Sequence, residues 1–339
     1  MRACVFRAPG EPLELITAPD PAPGPGEVVL RVHNCGVCGS DLHAAHSGLG
    51  VHNGTIMGHE FAGVITAAGP GATGFRPGDP AVVMSYQSCG ECDPCRSGND
   101  MHCATMRMVG FGGIAGGYAE LMKARASSVF KIPANLDYRA AATVEPLVVG
   151  LHGVRRAALR PGDSCLVMGA GPIGLVTALW ARFAGARAIV VSDPVETRRK
   201  IALAMGADAA VDPRFQNPLG RLARISGGPP DIVFECAGVA GSLAEAISYA
   251  RRGGCVVVLG AAMSDDGISP AAAMNKEIEI RFSLGLEPDE VETAIAMLAA
   301  GRISTAPMIT HDVKLERLPQ AFAALPHATG QVKVMIDLT

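Results

Sequence analysis

At 339 residues the chain exceeds the usual size of one hydrophobic core, so two domains are expected. Hydrophobic residues make up 49% and charged residues 18%, and no apolar run approaches the roughly 20 residues a bilayer crossing needs, so no membrane span is read. A net charge of −3 without any long lysine or arginine run argues against a nucleic-acid partner and leaves small molecules as the expected ligands.

Residues 1–15, MRACVFRAPGEPLEL, meet charge and proline before a long apolar segment can form, which argues against a signal peptide and for a cytoplasmic location. Residues 1–147 carry glycine, proline and short β-branched runs such as Val28-Val29-Leu30 and Val64-Ile65, the texture of short strands and turns. From 148 the pattern becomes α/β, with strands expected at 165–168, 188–192, 209–212, 231–237 and 255–261. Helices are expected to start near Pro172, Pro194, Phe215 and Gly241. A strand at 278–285, a helix at 288–300 and a short strand at 332–336 follow. The tail's strand suits a return to the first domain, giving 1–147 with 286–339 as one domain and 148–285 as a doubly wound parallel-sheet domain.

Three groups of residues carry chemistry. The first is Cys38, Ser40 and His43, followed by His59 and Glu60. Thiolate and imidazole ligands that leave one coordination position open would make a Lewis-acid site, with Ser40 beside the bound substrate and His43 passing a proton towards solvent. Each has a plainer role too: a buried small thiol, a turn serine, a surface histidine. The second group is Cys89, Cys92, Cys95 and Cys103, four of the ten cysteines within one loop. Four thiolates close a tetrahedron around a structural zinc, and an iron–sulfur cluster is the alternative for such a sulfur set.

The third group is Gly169-Ala170-Gly171-Pro172-Ile173-Gly174, with a strand before it, a helix after it, and Asp193 at the end of the next strand. The glycines allow close approach of a pyrophosphate to a helix N-terminus, and an acidic residue in the position of Asp193 accepts ribose hydroxyls, favouring NAD over NADP. Arg198 and Arg199 follow closely as an alternative phosphate contact or a solvated helix face.

Taken in order, 36–41, 58–63, 78–83, the four-cysteine loop and 169–174 resemble the medium-chain zinc dehydrogenases, closest to the polyol, butanediol and threonine dehydrogenase branch. The resemblance implies a GroES-like β-barrel catalytic domain, a Rossmann domain and an active site between them. It further implies two zinc ions per subunit, hydride transfer from a small alcohol, diol or polyol to NAD, and a homo-oligomer, tetramer before dimer. It assigns Cys38 and His59 to catalytic zinc. The third protein ligand is left open between Glu60 and Glu145, the latter in Val144-Glu145-Pro146, because no cysteine lies between Cys103 and Cys165. A zinc-free quinone or enoyl reductase, or a non-catalytic nucleotide-binding protein, are the alternatives on the same scaffold. The filled cysteine and histidine positions speak against the first, and the intact set from Cys38 to Glu145 against the second.

Overall fold

The computed structural model describes residues 1–263, 265–327 and 330–339. The chain forms two compact units, Met1–Glu145 with Glu287–Ile303 and Ile309–Thr339, and Pro146–Leu286 with Ser304–Met308. No helix among the described residues is long and apolar enough to cross a membrane.

The first unit is built around the strand Glu27–Gly36, whose β-branched residues suit a half-buried pleated surface. It pairs antiparallel with Glu60–Ala68 along one edge, and with Leu121–Arg125 and Lys333–Asp337 along the other. The sheet continues through Pro80–Val83 to Val129–Lys131 at one end and reaches Ile309–Lys314 at the other. Register shifts near Val29 and Val32 bend the central strand, as bulges do. Val28, Leu30 and Val32 enter a core with Phe61, Ile65, Tyr118, Met122 and Ile336.

This topology brings residues 38 and 59 together. The central strand ends at Gly36, two residues before Cys38, and Gly36 lies opposite Glu60, the first residue of the neighbouring strand. The helix Gly39–Ser47 then starts with Cys38 at its N-cap and stops at Gly48, whose φ of 75° is the left-handed conformation typical of a helix C-terminus.

The second unit holds six parallel strands in the spatial order Ala209–Val211, Ala188–Ser192, Ser164–Met168, Ile232–Glu235, Cys255–Val258, Glu279–Phe282. That order, 3-2-1-4-5-6, is the doubly wound arrangement, and its direction reverses beside Ser164–Met168. Ser164–Met168 and Ala188–Ser192 are buried throughout, as strands covered on both faces must be. Trp180, in the helix Pro172–Phe183, is buried and donates its indole N–H to the Leu147 carbonyl.

Besides the strand expected at 209–212, which ends at Val211, three strands stop two or three residues before the apolar pattern does. They end at Glu235, Val258 and Phe282 rather than at 237, 261 and 285. Glu235 causes the first stop by accepting both Ala237 N–H and Gly238 N–H on Oε1, which turns the chain. The helix expected near Phe215 begins at Pro218, because the Asn217 side chain accepts from Leu219 and Gly220 N–H and caps it there. The helix Pro270–Lys276 lies outside the expected elements, although Ser269 at its N-cap and Pro270 after it are ordinary start signals.

Gly174 packs the Pro172–Phe183 helix directly on the turn that precedes it, and a Cβ there would overlap the Gly169 carbonyl. Gly174→Ala is expected to destabilise the second unit by about 1–3 kcal/mol, the usual cost of overpacking, as measured by urea unfolding followed through Trp180 fluorescence.

Candidate active site

Cys38, His59 and Glu60 each offer a ligand atom, and these atoms all lie within 4.8 Å of one another. Cys38 and His59 are thus neighbours, as their motifs imply. Ser40 Oγ stands 3.4 Å from His59 Nε2, and the Phe111 ring lies 5.5 Å from the His59 ring, so the imidazole has a hydroxyl at one nitrogen and an apolar wall beside it. His43 is exposed one turn further along the Gly39–Ser47 helix. Glu145, in the first turn of the Val144–Ala157 helix, is not part of the tight set.

Two carboxylates that the sequence did not single out for a role, or not for this one, organise the set. Asp41 is completely buried at the third position of the helix that follows Cys38. Its Oδ2 accepts from Cys38 N–H at 3.0 Å and from the Tyr118 hydroxyl at 2.7 Å, while Oδ1 faces His59 Nδ1 at 3.4 Å. The carboxylate faces Nδ1 without closing a hydrogen bond, and Nε2 is the nitrogen on the side of Ser40. Burial works against ionisation of Asp41, but the facing His59 and the donated hydrogen bonds outweigh it and hold the carboxyl below its ordinary value.

Glu60 has a different partner. Lys333, 1% exposed, donates from Nζ to Oε1 at 2.7 Å, to Oε2 at 2.6 Å and to the Val37 carbonyl at 2.9 Å. The ammonium is thus fully satisfied, and Glu60 is buried with its charge compensated. A lysine in the apolar run Val332-Lys333-Val334-Met335-Ile336 was the available signal, since lysine is almost never fully buried unpaired. Glu145 is held differently: burial first, and then Glu60, push its carboxyl up to about 7 against the opposing pulls of His59, Ser85 and Lys333.

The donor set fits a divalent ion. Burial weighs against a charged His59, yet Asp41 and Cys38 raise its proton affinity well above the usual imidazole range, so the pocket calls for positive charge where thiol, imidazole and carboxylate converge.

Cys89, Cys92, Cys95 and Cys103 form the second tight set, again within 4.8 Å, and none is in a disulfide. The Sγ separations include 3.3 Å for Cys92–Cys95 and 3.9 Å for Cys89–Cys95, close to the edge of about 3.8 Å that a tetrahedron of sulfurs around zinc requires. Backbone N–H groups point at the sulfurs. Cys89 N–H donates to Cys103 Sγ and, with Thr105, holds that thiol down to about 6, whereas burial and the Cys92 thiol push Cys95 up to about 12. The loop stabilises thiolate on some members and not on all, which suits a set that completes itself on a cation.

In the second unit, Gly169 takes a φ of 92°, and Gly171 caps the helix that begins at Pro172 and Ile173. Asp193 is buried just past the Ala188–Ser192 strand and accepts Ala170 N–H on Oδ2 at 2.8 Å and Val195 N–H on Oδ1 at 2.7 Å. Arg198 lies 3.8 Å from Asp193 Oδ2 through Nη1, and its buried Nε has no hydrogen-bond partner. Arg199 donates to the Asp193 carbonyl and to Asp212.

A two-unit chain with a tight cysteine–histidine–glutamate set in a β-rich unit and a glycine turn in a doubly wound unit is the build of a metal-assisted dehydrogenase. Residues 24–134 match the alcohol dehydrogenase GroES-like domain, and residues 172–300 match the zinc-binding dehydrogenase domain. The chain is 32% identical to sorbitol dehydrogenase of Gallus gallus, over 96% of this chain and 93% of that protein. It is 34% identical to L-arabinitol 4-dehydrogenase of Aspergillus niger, over 92% and 85% respectively. The solved alcohol dehydrogenase TADH of Thermus sp. ATN1 superposes with a TM-score of 0.91 at 31% identity, over the full length of both chains. The chain belongs to the medium-chain zinc-dependent alcohol and polyol dehydrogenase family, and it is an oxidoreductase that works with zinc and a nicotinamide cofactor.

Beside the dinucleotide turn, Asp212 accepts from Arg214 and Arg199, and the Arg214 bond is the main reason its carboxyl sits at about 2 instead of 3.8. A depressed carboxyl contributes stability in full above its unfolded value and loses it as pH falls through the folded one. Arg214→Ala is therefore expected to lower the stability of the second unit near neutral pH, with the deficit against the parent shrinking as pH falls below 3.8 and closing at about 2, read from urea unfolding followed by circular dichroism at a series of pH values.

Proposed function

We propose that this enzyme oxidises a secondary hydroxyl of a small alcohol, diol or polyol to the carbonyl, using NAD, with Cys38, His59 and a glutamate holding the catalytic zinc. The observation that carries the reading is the convergence of Cys38, His59 and Glu60 beside Ser40. Glu60 is the better-supported third ligand, because Glu145 stands outside the tight set. Glu145 is read as a nearby carboxylate that feels the charges of His59 and Glu60 and is not a direct ligand.

Bound there, zinc supplies Lewis acidity towards a hydroxyl oxygen, and the nicotinamide supplies the hydride acceptor. The protein's own residues do the rest. Asp41, facing His59 Nδ1, would orient the ring with Nε2 left to hold the zinc. Ser40 would accept the hydroxyl proton while releasing its own, and His43, exposed on the same helix, would pass a proton on to water. Phe111 walls the site beside His59 and keeps water from that side.

The four-cysteine loop is read as a second, structural zinc site, favoured over an iron–sulfur cluster by the family to which the chain belongs. Asp193, an acidic residue buried just past the second strand of the parallel sheet, is suited to accept from the adenosine ribose and to disfavour a 2′-phosphate, which supports NAD over NADP. Pro172, Ile173 and the glycines 169, 171 and 174 line the pyrophosphate turn, and Arg198 flanks it. Ten free thiols suit a reducing, cytoplasmic setting. The strand Glu279–Phe282 is at a sheet edge with Phe282 and Leu284 exposed, which supports pairing between copies of the chain, and a homotetramer before a dimer is the preference that family resemblance adds.

Purified enzyme is expected to contain two zinc ions per chain and to reduce NAD with a panel of diols and polyols. Cys38→Ser removes one zinc and all turnover while NADH binding persists, and Ser40→Ala lowers kcat by about a hundredfold. Metal analysis with a steady-state assay checks this, and turnover retained by Cys38→Ser defeats the reading. Asp193→Ala narrows the preference for NAD over NADP, read from the two kcat/KM values.

A further inference from the structure

Lys333 reaches the metal-ligand set from the far end of the sequence. Its strand, Lys333–Asp337, pairs with the end of the strand that delivers Cys38, with Met335 opposite Gly36, and Val37 N–H donates to the Val334 carbonyl. Lys333 Nζ commits all three of its protons, two to the Glu60 oxygens and one to Val37. The pocket is shaped for this: a Cβ at Gly36 would overlap Glu60 Oε2, so the glycine leaves the room in which the carboxylate and ammonium meet.

The same carboxylate that Lys333 grips lies within 4.8 Å of the ligand atoms of Cys38 and His59. Two cations would then draw on one anion. Two charge-assisted hydrogen bonds withdraw electron density from a carboxylate and make it a poorer metal donor, the converse of an acceptor strengthening a histidine ligand. We propose that Lys333 is a positioning residue of the metal centre, which ties Glu60 back and so limits how firmly this glutamate holds the catalytic ion. The inference rests on the reading of Cys38, His59 and Glu60 as the catalytic zinc site. A third ligand bound too firmly would slow the ligand exchange that turnover needs, and the ammonium keeps Glu60 exchangeable.

The sign of the effect separates this from a structural role. Removing a lysine that merely packs the site would loosen the centre and speed metal loss. Removing a competitor for Glu60 leaves a buried carboxylate whose remaining compensation is the metal, and slows metal loss.

The test is release of zinc from the holoenzyme to a chromogenic chelator, with Cys38→Ser identifying the phase that belongs to this centre. Lys333→Met is expected to slow that phase by about tenfold, and Lys333→Gln, which keeps one donor and the length, by less. In a Glu60→Gln background, Lys333→Met should leave the rate unchanged. Release at the parent rate or faster in Lys333→Met, or a slowing that persists without the Glu60 charge, overturns the proposal. Should Lys333→Met fail to fold, Lys333→Gln decides by the same sign: slower release supports the proposal, and unchanged or faster release overturns it. If Cys38→Ser removes no zinc, the site reading itself falls, and the proposal with it.

Discussion

Everything in the first unit's site follows from burying two carboxylates without leaving either uncompensated. Asp41 and Glu60 are both wholly removed from solvent, a placement that costs several kcal/mol per ion unless partners are supplied. Asp41 is met by the Tyr118 hydroxyl, the Cys38 N–H and the facing imidazole, and Glu60 by the Lys333 ammonium and its fixed geometry. These partners fix the backbone turn at Cys38 and the ring of His59 before any ion arrives. The ligand set is thereby preorganised by charges whose own needs are met behind it.

The chemistry is divided between the units by what each architecture offers. Antiparallel neighbours put the end of one strand against the start of the next, which is how residues 38 and 59, and Gly36 and Glu60, come to be adjacent. The parallel sheet offers a reversal of strand order and a helix N-terminus at the carboxyl end of the Ser164–Met168 strand, where Gly169 takes a positive φ and Gly174 lets the helix pack on the turn. The cysteine loop is separate from both. Its four sulfurs converge within one short stretch, from Cys89 to Cys103, so its closure depends on local turns and not on the sheet.

Those local features were the legible ones. The spacing of Cys89, Cys92, Cys95 and Cys103, the glycine turn with Asp193, and the pair Cys38 and His59 all carry their meaning within one or two elements, and the residues within each group are close in the structure. What the sequence withheld is long-range pairing. Tyr118 and Asp41 are 77 residues apart, and Lys333 and Glu60 are 273 apart, so no window of sequence contains either partnership. Strand ends were hidden for a related reason. Glu235 looks like any residue at the end of an apolar run, and only its acceptance of two following N–H groups terminates the strand. The first domain was readable as short strands and turns, but its strand order was not, because the Lys333–Asp337 strand enters beside Glu27–Gly36 from the opposite end of the chain.

The choice between Glu60 and Glu145 illustrates how identical side chains are given different tasks by their counter-charges. Both are glutamates, both are drawn into the electrostatics of His59, and their local sequence does not separate them. Glu60 has an ammonium against both oxygens and is compensated as an anion inside the protein. Glu145 meets the Ser85 hydroxyl and a more distant cationic influence, and burial with the repulsion of Glu60 brings its proton affinity to about 7, near neutrality. A carboxylate gripped by an ammonium is held in place, while one poised near neutral pH, like Glu145, is suited to exchanging a proton. Glu60 is gripped by Lys333, a residue in neither motif, whereas Glu145 is governed chiefly by burial, so the Lys333–Asp337 strand reaches the cysteine–histidine–glutamate set through one of the two glutamates only.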